Sequence, residues 1–393
     1  MTVIRRLLKP IASLRLTVVL LAMSMFLVFA STLAQVHEGV WTIVDRYFRS
    51  YFVRIDFQIF VPESVAQVRG AIPFPAGITI GVALLVNLLA AHTVRFKLKW
   101  RRGGIMLIHL GVILLLVGEF VTAAFAKEGN MTIVEGETAN YTEDIRTVEL
   151  AVIDGSGASD DLVVVVPERV LKTRGKQITH GLLPFDIRVD EWMPNSRLLG
   201  PAQTPASRRG LADSGDARSL AAVRLTRATG VDGQSVDVPS AYVTLFDDGT
   251  RIGTFLVSVH RDAPQQVVIG DRTYGLQLRF ERNYKSYSLH LIDFSHDKFV
   301  GTETPRNYSS LVRLVDAGRN VDREVLIYMN HPLRFGGETF YQASFLRDDS
   351  GTVLQVVRNP GWLIPYVSCT MVAVGMLLQF GIRLLPRTRS PAQ

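Results

Sequence analysis

Cysteine is almost missing from this sequence: Cys369 is the single one in 393 residues. That excludes a disulfide framework, a cysteine-based zinc site, a CxxC redox pair and a CxxCH haem-attachment site. Charge is scarce as well, with 20% charged residues against 48% hydrophobic ones and a mean hydropathy of +0.20. Such a balance excludes a disordered chain and is too apolar for an ordinary soluble one. No internal repeat, no heptad pattern, no P-loop, no GxSxG elbow, no HExxH and no GxGxxG followed by a helix is present. The net charge of +7 would suggest nucleic acid only if it lay on a soluble surface.

The apolar residues are concentrated in four runs. They are Leu16 to Ala34, Ile78 to Ala91 continuing from Pro75, Ile105 to Ala126, and Trp362 to Leu385. A bilayer core about 30 Å thick takes roughly 20 residues of helix, so each run reads as a membrane span. A cleaved signal peptide is the alternative for the first, because Ala30 to Ala34 is small-residue rich, but its apolar run exceeds the usual ~7–15-residue h-region.

The basic residues flank these runs. Arg5, Arg6, Lys9 and Arg15 precede the first span, and Arg95, Lys97, Lys99, Arg101 and Arg102 join the second to the third. Arg383, Arg387 and Arg389 follow the fourth, and no acidic residue interrupts any cluster. The positive-inside rule places both termini and the short loop in the cytoplasm, with residues 35–74 and 127–361 outside. Residues 126–360 hold 27 basic and 31 acidic residues, so the outer domain is mildly acidic and the basic excess is cytoplasmic. The nucleic-acid reading falls away and membrane lipid takes its place.

The expected architecture is therefore an integral membrane protein of four transmembrane helices with a large β-rich extracytoplasmic domain inserted between helices 3 and 4. The divisions are 1–35, the N-terminus and first helix; 36–74, an aromatic amphipathic segment; 75–126, helices 2 and 3 with the basic loop; 127–361, the β-rich domain; and 362–393, the last helix and tail. In the second division Trp41, Val44, Phe48, Tyr51 and Ile55 recur at steps of three or four, which predicts one apolar helix face along the membrane surface. It would serve as an interfacial anchor or as a cover for a flat hydrophobic ligand. In the fourth, strands are predicted at Thr147 to Val152, Leu162 to Val166, Phe185 to Val189, Ala241 to Phe246, Thr254 to Val259, Leu276 to Phe280, Tyr287 to Phe294 and Val325 to Tyr328, about ten strands in all, which fit an antiparallel sandwich or barrel. Residues 195–219, poor in apolar content and punctuated by Pro194, Pro201 and Pro205, predict a long flexible insertion.

The outer histidines are His180, His260, His290, His296 and His331, with Asp293 and Asp297 near two of them. On a regular strand His290 and Asp293 face opposite sides, and His296 is expected beyond the strand. A metal-dependent hydrolase built on His290 or His296 is accordingly poorly supported. Within the spans, His109 lies about five residues past the basic loop, roughly 8 Å into the bilayer. An ionisable side chain there faces the bundle interior. Its lone pair suits haem iron, or it forms a hydrogen bond across a helix interface. Glu119 pairs with a partner's basic group or sits near the outer interface, and His92 reads as a hydrated interfacial histidine.

Several segments together resemble the ResB/CcsB family of system II cytochrome c biogenesis proteins. They are Ala12-Ser13-Leu14-Arg15-Leu16 leading into the first span, His109-Leu110-Gly111 through Gly118, Leu183 to Val189, Phe299 to Pro305 through Ser310, and Asn330 to Gln342 with Val356 to Leu363. The resemblance implies a subunit of a cytochrome c haem lyase complex in the bacterial cytoplasmic (inner) membrane, not an enzyme alone. It implies haem b held transiently at His109 as an axial ligand, shared with a CcsA/ResC-type polytopic haem-presenting protein, together with apocytochrome c and thiol-reducing partners. No catalytic residue and no metal other than haem iron is expected. The tryptophan-rich motif of the partner is absent, since Trp41, Trp100, Trp192 and Trp362 are dispersed. The alternative is a non-enzymatic scaffold or sensor whose outer β-domain binds a protein.

Overall fold

A computed structural model describes residues 8–36, 38–62, 64–95, 102–157, 160–225, 236–298, 305–346 and 348–384. The chain forms two compact units, Met1–Lys127 with Arg358–Gln393, and Glu128–Val357. The first is helical and the second is built of strands.

Four long helices organise the first unit: α1 Leu14–Ala34, α2 Gly77–Arg95, α3 Gly103–Phe125 and α4 Ile364–Leu384. Each is long and apolar enough to cross a membrane, and the predicted runs fall within them to a few residues. Most of their apolar side chains, such as Met25, Phe120 and Leu377, are exposed, which suits hydrocarbon and not water. The basic residues Arg5, Arg6, Lys97, Lys99, Arg101, Arg387 and Arg389 lie outside the described residues.

Two helix pairs are held by different chemistry. Between α1 and α2, buried Asn87 donates from Nδ2 to the carbonyls of Ile11 (2.6 Å) and Ser13 (3.2 Å), while its Oδ1 accepts from Thr17 Oγ (2.7 Å). The carboxamide thus satisfies carbonyls where the Ala12-Ser13-Leu14 segment enters α1, groups that would be costly to leave bare in lipid. Between α3 and α4 the contact is steric. Gly104, Gly111 and Gly118 are buried at every seventh residue against α4, and a Cβ at Gly111 would fall 2.8 Å from the Ser368 carbonyl oxygen. Small residues let helix backbones approach, which is how helices associate where no hydrophobic effect separates lipid from leucine.

Residues 36–74 depart from the predicted surface helix. A short helix, Val40–Ile43, runs into a π-helical turn, Val44–Phe48; the chain then bends, and β1 Phe52–Asp56 pairs antiparallel with β2 Ala71–Pro75. Phe52 to Ile55 alternate with period two, and Val53 and Ile55 are buried with Leu27, Ala30, Ile43, Tyr47 and Ile80. The helical spacing of Tyr51 and Ile55 was coincidental: burial of alternate residues against α1 and α2 selects a hairpin. Arg46 fixes the bend by donating to Glu38 (2.6 Å), Asp56 (3.0 Å) and the Arg54 carbonyl (2.8 Å). Trp41, Tyr51 and Phe52 stay exposed.

In the second unit the strands are β3 Lys127–Val134, β4 Thr138–Asp154, β5 Leu162–Pro167, β6 Gln177–Ile178, β7 Asp186–Met193, β8 Ser196–Leu199, β9 Ala221–Arg224, β10 Ser240–Asp247, β11 Thr250–Ser258, β12 Gln265–Ile269, β13 Arg272–Lys298, β14 Pro305–Asp316, β15 Val321–Tyr328, β16 Leu333–Phe335, β17 Glu338–Phe345 and β18 Gly351–Arg358. A large sheet runs β15-β14-β13-β4-β3-β18-β17-β16, with β12 on β13 and β5 on β4; a smaller one runs β11-β10-β7-β6, and β8 pairs with β9. Every predicted strand falls in or at the edge of a strand, but Leu276 to Phe280 and Tyr287 to Phe294 are parts of one 27-residue strand, β13. Together with the 17-residue β4 it serves two cores. Val148, Leu150, Leu276 and Leu278 pack against Ile187, Val243 and Phe255, whereas Leu289 and Leu291 pack against Val312, Ile327, Phe340 and Leu354.

Residues 195–219 are folded, contrary to the flexible insertion predicted. β8 is zipped to β9, Arg208 grips Glu191 through two hydrogen bonds (2.5 and 3.0 Å), and Ala212 and Ala217 are buried with Met193, Tyr242 and Leu256. Alanines close this small core, so little apolar bulk marks it in the sequence.

Candidate functional site

The glycine seam determines which way His109 points. Successive helical residues are ~100° apart, so a residue five beyond Gly104 and two before Gly111 lies well round the helix from α4. His109 faces α2, where its ring meets that of His92 with centroids 5.2 Å apart and planes at 64°. The two half-buried imidazoles are held alike: His109 Nδ1 lies 2.7 Å from the Ile105 carbonyl oxygen and His92 Nδ1 lies 2.9 Å from that of Leu88. A carbonyl can only accept, so each Nδ1 is the donor of its bond. His92, predicted as a hydrated interfacial histidine, packs its ring against that of His109. Glu119 is exposed on the surface of α3, ten residues from His109.

The outer histidines are scattered. His180 accepts the Leu182 N–H (3.3 Å), His260 donates from Nε2 to the Ser196 carbonyl (2.9 Å), His290 is 3.1 Å from the Thr138 hydroxyl, and His331 stacks on Tyr328 at 4.3 Å. A bulge between Leu291 and Asp293 moves the inward-facing positions from the buried 287, 289 and 291 to the half-buried even residues 294 and 296. His290 and Asp293 consequently share the exposed face, not opposite ones, and His296 lies inside β13, not beyond it. Its Nδ1 is 2.9 Å from Asp349 Oδ1, and Asp297 is not its partner in that bond. Among the described residues no group of three His, Cys, Asp or Glu could hold a metal ion.

A polar cluster of this unit lies between β13 and β17. Buried Glu338 accepts from Lys285 Nζ (2.6 Å) and from the Tyr287 hydroxyl. Burial first, and the neighbouring carboxylate second, push the Tyr287 phenol well above its usual range, so it remains a donor. Glu338 follows Gly336 and Gly337, both at positive φ (61° and 80°), which make a two-residue hairpin turn between β16 and β17. Four residues on, Gln342 accepts from Ser310 Oγ (2.8 Å) and donates to Thr352 Oγ (2.8 Å).

Residues 253–353 match the ResB-like family, a stretch from β11 to β18 that contains this cluster. The chain carries a ResB-like segment. Protein NrfI of Wolinella succinogenes is 35% identical over 91 residues, which is 23% of this chain and 10% of NrfI. The chain thus spans about a tenth of the length of that relative. Within the ResB-like segment, the Gly336-Gly337-Glu338 run and Gln342 are structural: they turn a hairpin and tie β17 to β13, β14 and β18 with side-chain hydrogen bonds. Phe299 to Thr304, another of the resembling segments, lies outside the described residues. His92 and His109 stand outside the matched stretch, so the ResB-like likeness and the paired histidines are independent observations.

Proposed function

We propose that this protein is a ResB-type subunit of a system II cytochrome c synthase, seated in the bacterial cytoplasmic membrane with both termini inside and the β-rich unit outside. It works in cytochrome c biogenesis with a CcsA/ResC-type polytopic partner. The ResB-like segment and four apolar helices support the setting. The observation that carries the chemistry is His109, an imidazole within an apolar helix, its ring oriented by an Nδ1 bond to the Ile105 carbonyl.

Haem b is the cargo. An apolar macrocycle suits a site between helices, and its iron takes an axial imidazole. Haem supplies the porphyrin that becomes linked to the apocytochrome; His109 holds its iron, and the exposed apolar side chains Leu110 and Val112 border it on α3. The chain's lone cysteine, Cys369 on α4, offers no thiol pair, so reduction of apocytochrome thiols falls to separate partners.

Co-purification with the polytopic partner and measurement of haem by its Soret band tests this reading. His109→Ala is expected to deplete haem about tenfold or more. Haem content equal to wild type would exclude His109 as a required ligand.

A further inference from the structure

The strand edges of the β-rich unit are guarded unequally. An edge strand presents a row of unpaired backbone N–H and C=O groups, which proteins protect with charge, brevity or a covering segment. β15 carries exposed Asp322, Arg323 and Glu324 in succession. β16 has three residues and β6 has two. β11 is covered, since Asp213 and Ser214 donate their N–H groups to the Thr254 carbonyl (3.1 and 3.2 Å), and β12 is met at Gln265 by the Ala217 N–H (3.1 Å).

β5 has none of these guards. Leu162-Val163-Val164-Val165-Val166 is a run of five aliphatic residues without a charge, and among the described residues the strand pairs with β4 alone. Val164 and Val166 face the core, whereas Val165 is 43% exposed and Val163 is half-buried beside Ile153 on the outer face. The core accounts for the first two valines and not for the second two. β-Branched side chains hold the backbone extended, so the edge is preset for one more strand. Pro167 ends it, having no N–H to offer.

We propose that the outer edge of β5 takes up an extended segment of the unfolded apocytochrome as one more strand of the sheet. This rests on the cytochrome c biogenesis reading. A strand of five residues is about 17 Å long, and its edge buries far less than the roughly 1,200–2,000 Å² of a stable interface. A second copy of this chain or a permanent subunit gains too little from that edge alone. A client that arrives unfolded and then leaves needs a brief hold of this size, and its backbone is still unpaired. Valines present neither charge nor pocket, so the edge recognises main chain and not sequence.

The test uses the full chain in detergent. The probe is a fluorescein-labelled peptide spanning the CxxCH segment of an apocytochrome c with its cysteines alkylated, followed by anisotropy and by hydrogen exchange of the β5 amides. Wild type is expected to bind the peptide and to exchange residues 162–166 more slowly when it is present. The same peptide N-methylated along its backbone is expected not to bind. Val165→Lys, which places a charge at the exposed edge, is expected to weaken binding about tenfold or more while melting at the wild-type temperature. Val268→Lys, at a 66% exposed position on β12, is expected to bind as wild type does. Should Val165→Lys melt early, the N-methylated peptide and the exchange pattern decide alone. A peptide that does not bind, that binds equally when N-methylated or to a stable Val165→Lys chain, or that protects another strand in place of β5 overturns the inference. So does protection of β5 without peptide that grows with protein concentration, which assigns the edge to a second copy. Two further readouts keep the readings apart. Unchanged peptide binding in Val165→Lys, with haem depleted from the co-purified complex in His109→Ala, leaves the biogenesis reading standing and removes the β5 edge. Normal cytochrome c maturation in a strain deleted for this protein removes the biogenesis reading, and with it the apocytochrome as client.

Discussion

Gly104 of α3 and Gly375 of α4 touch backbone to backbone: a Cβ on Gly104 would fall 2.6 Å from the Gly375 carbonyl oxygen, and one on Gly375 would fall 2.8 Å from that of Gly104. With Gly111 and Gly118 they form a seam of period seven, the repeat of a left-handed helix pair. The seam fixes the rotation of α3 about its axis, and therefore the side on which His109 emerges.

Gly375→Leu is expected to push α3 and α4 apart. Overpacking of this kind costs about 1–3 kcal/mol, read as a lower melting temperature in detergent. Because α3 then turns or shifts, haem retained by the complex should fall although no ligand has changed. A variant that melts and binds as wild type does would show that the seam does not orient His109.

Glu338 and Lys285 form a buried pair, with side chains 10% and 9% exposed. Glu338→Gln leaves the ammonium in a low-dielectric site without its counter-charge, at a cost of about 3–5 kcal/mol. The measurement is the urea midpoint of the full chain, followed by the fluorescence of buried Trp192. Lys285→Met combined with Glu338→Leu removes both charges and should recover part of the loss; if the single and double variants unfold together, the pair is not what stabilises the hairpin.

Acid should loosen the 195–219 segment. Asp213 accepts the Thr254 N–H (2.8 Å) and bonds Arg251 and Ser214. The Thr254 bond above all, then Arg251, holds its carboxyl down at about 2. A lowered folded-state pKa means the carboxylate stabilises the fold above the ordinary value of 3.8 and ceases to do so as pH falls from about 4 toward 2. Protease cutting within 205–219 should rise through that window in wild type. Asp213→Asn should be cut readily at neutral pH already, and a pH-independent pattern in both would discount the tether.

The four spans were legible because a helix in hydrocarbon satisfies its own backbone and needs only length and apolarity, both local properties. The strand positions were legible for a related reason, since β-branched runs bounded by turn residues report their own conformation. The packed 195–219 segment was hidden because Ala212 and Ala217 bury little area each and gain their place from Tyr242 and Leu256, far along the chain. The surface helix predicted for 41–55 failed beyond Phe48 because a step of four, as from Tyr51 to Ile55, is one helical turn and also two strand repeats, and only contact with α1 and α2 chooses between them.

The sequence by itself determined that His109 lies in an apolar run, that one cysteine cannot do thiol chemistry in pairs, and that the basic excess flanks the apolar runs. Tertiary structure alone decided that His92 stands against His109, because glycine spacing sets the rotation of α3. Neither the rotation of one helix nor its level against another is written in the residues of either one; both come from packing.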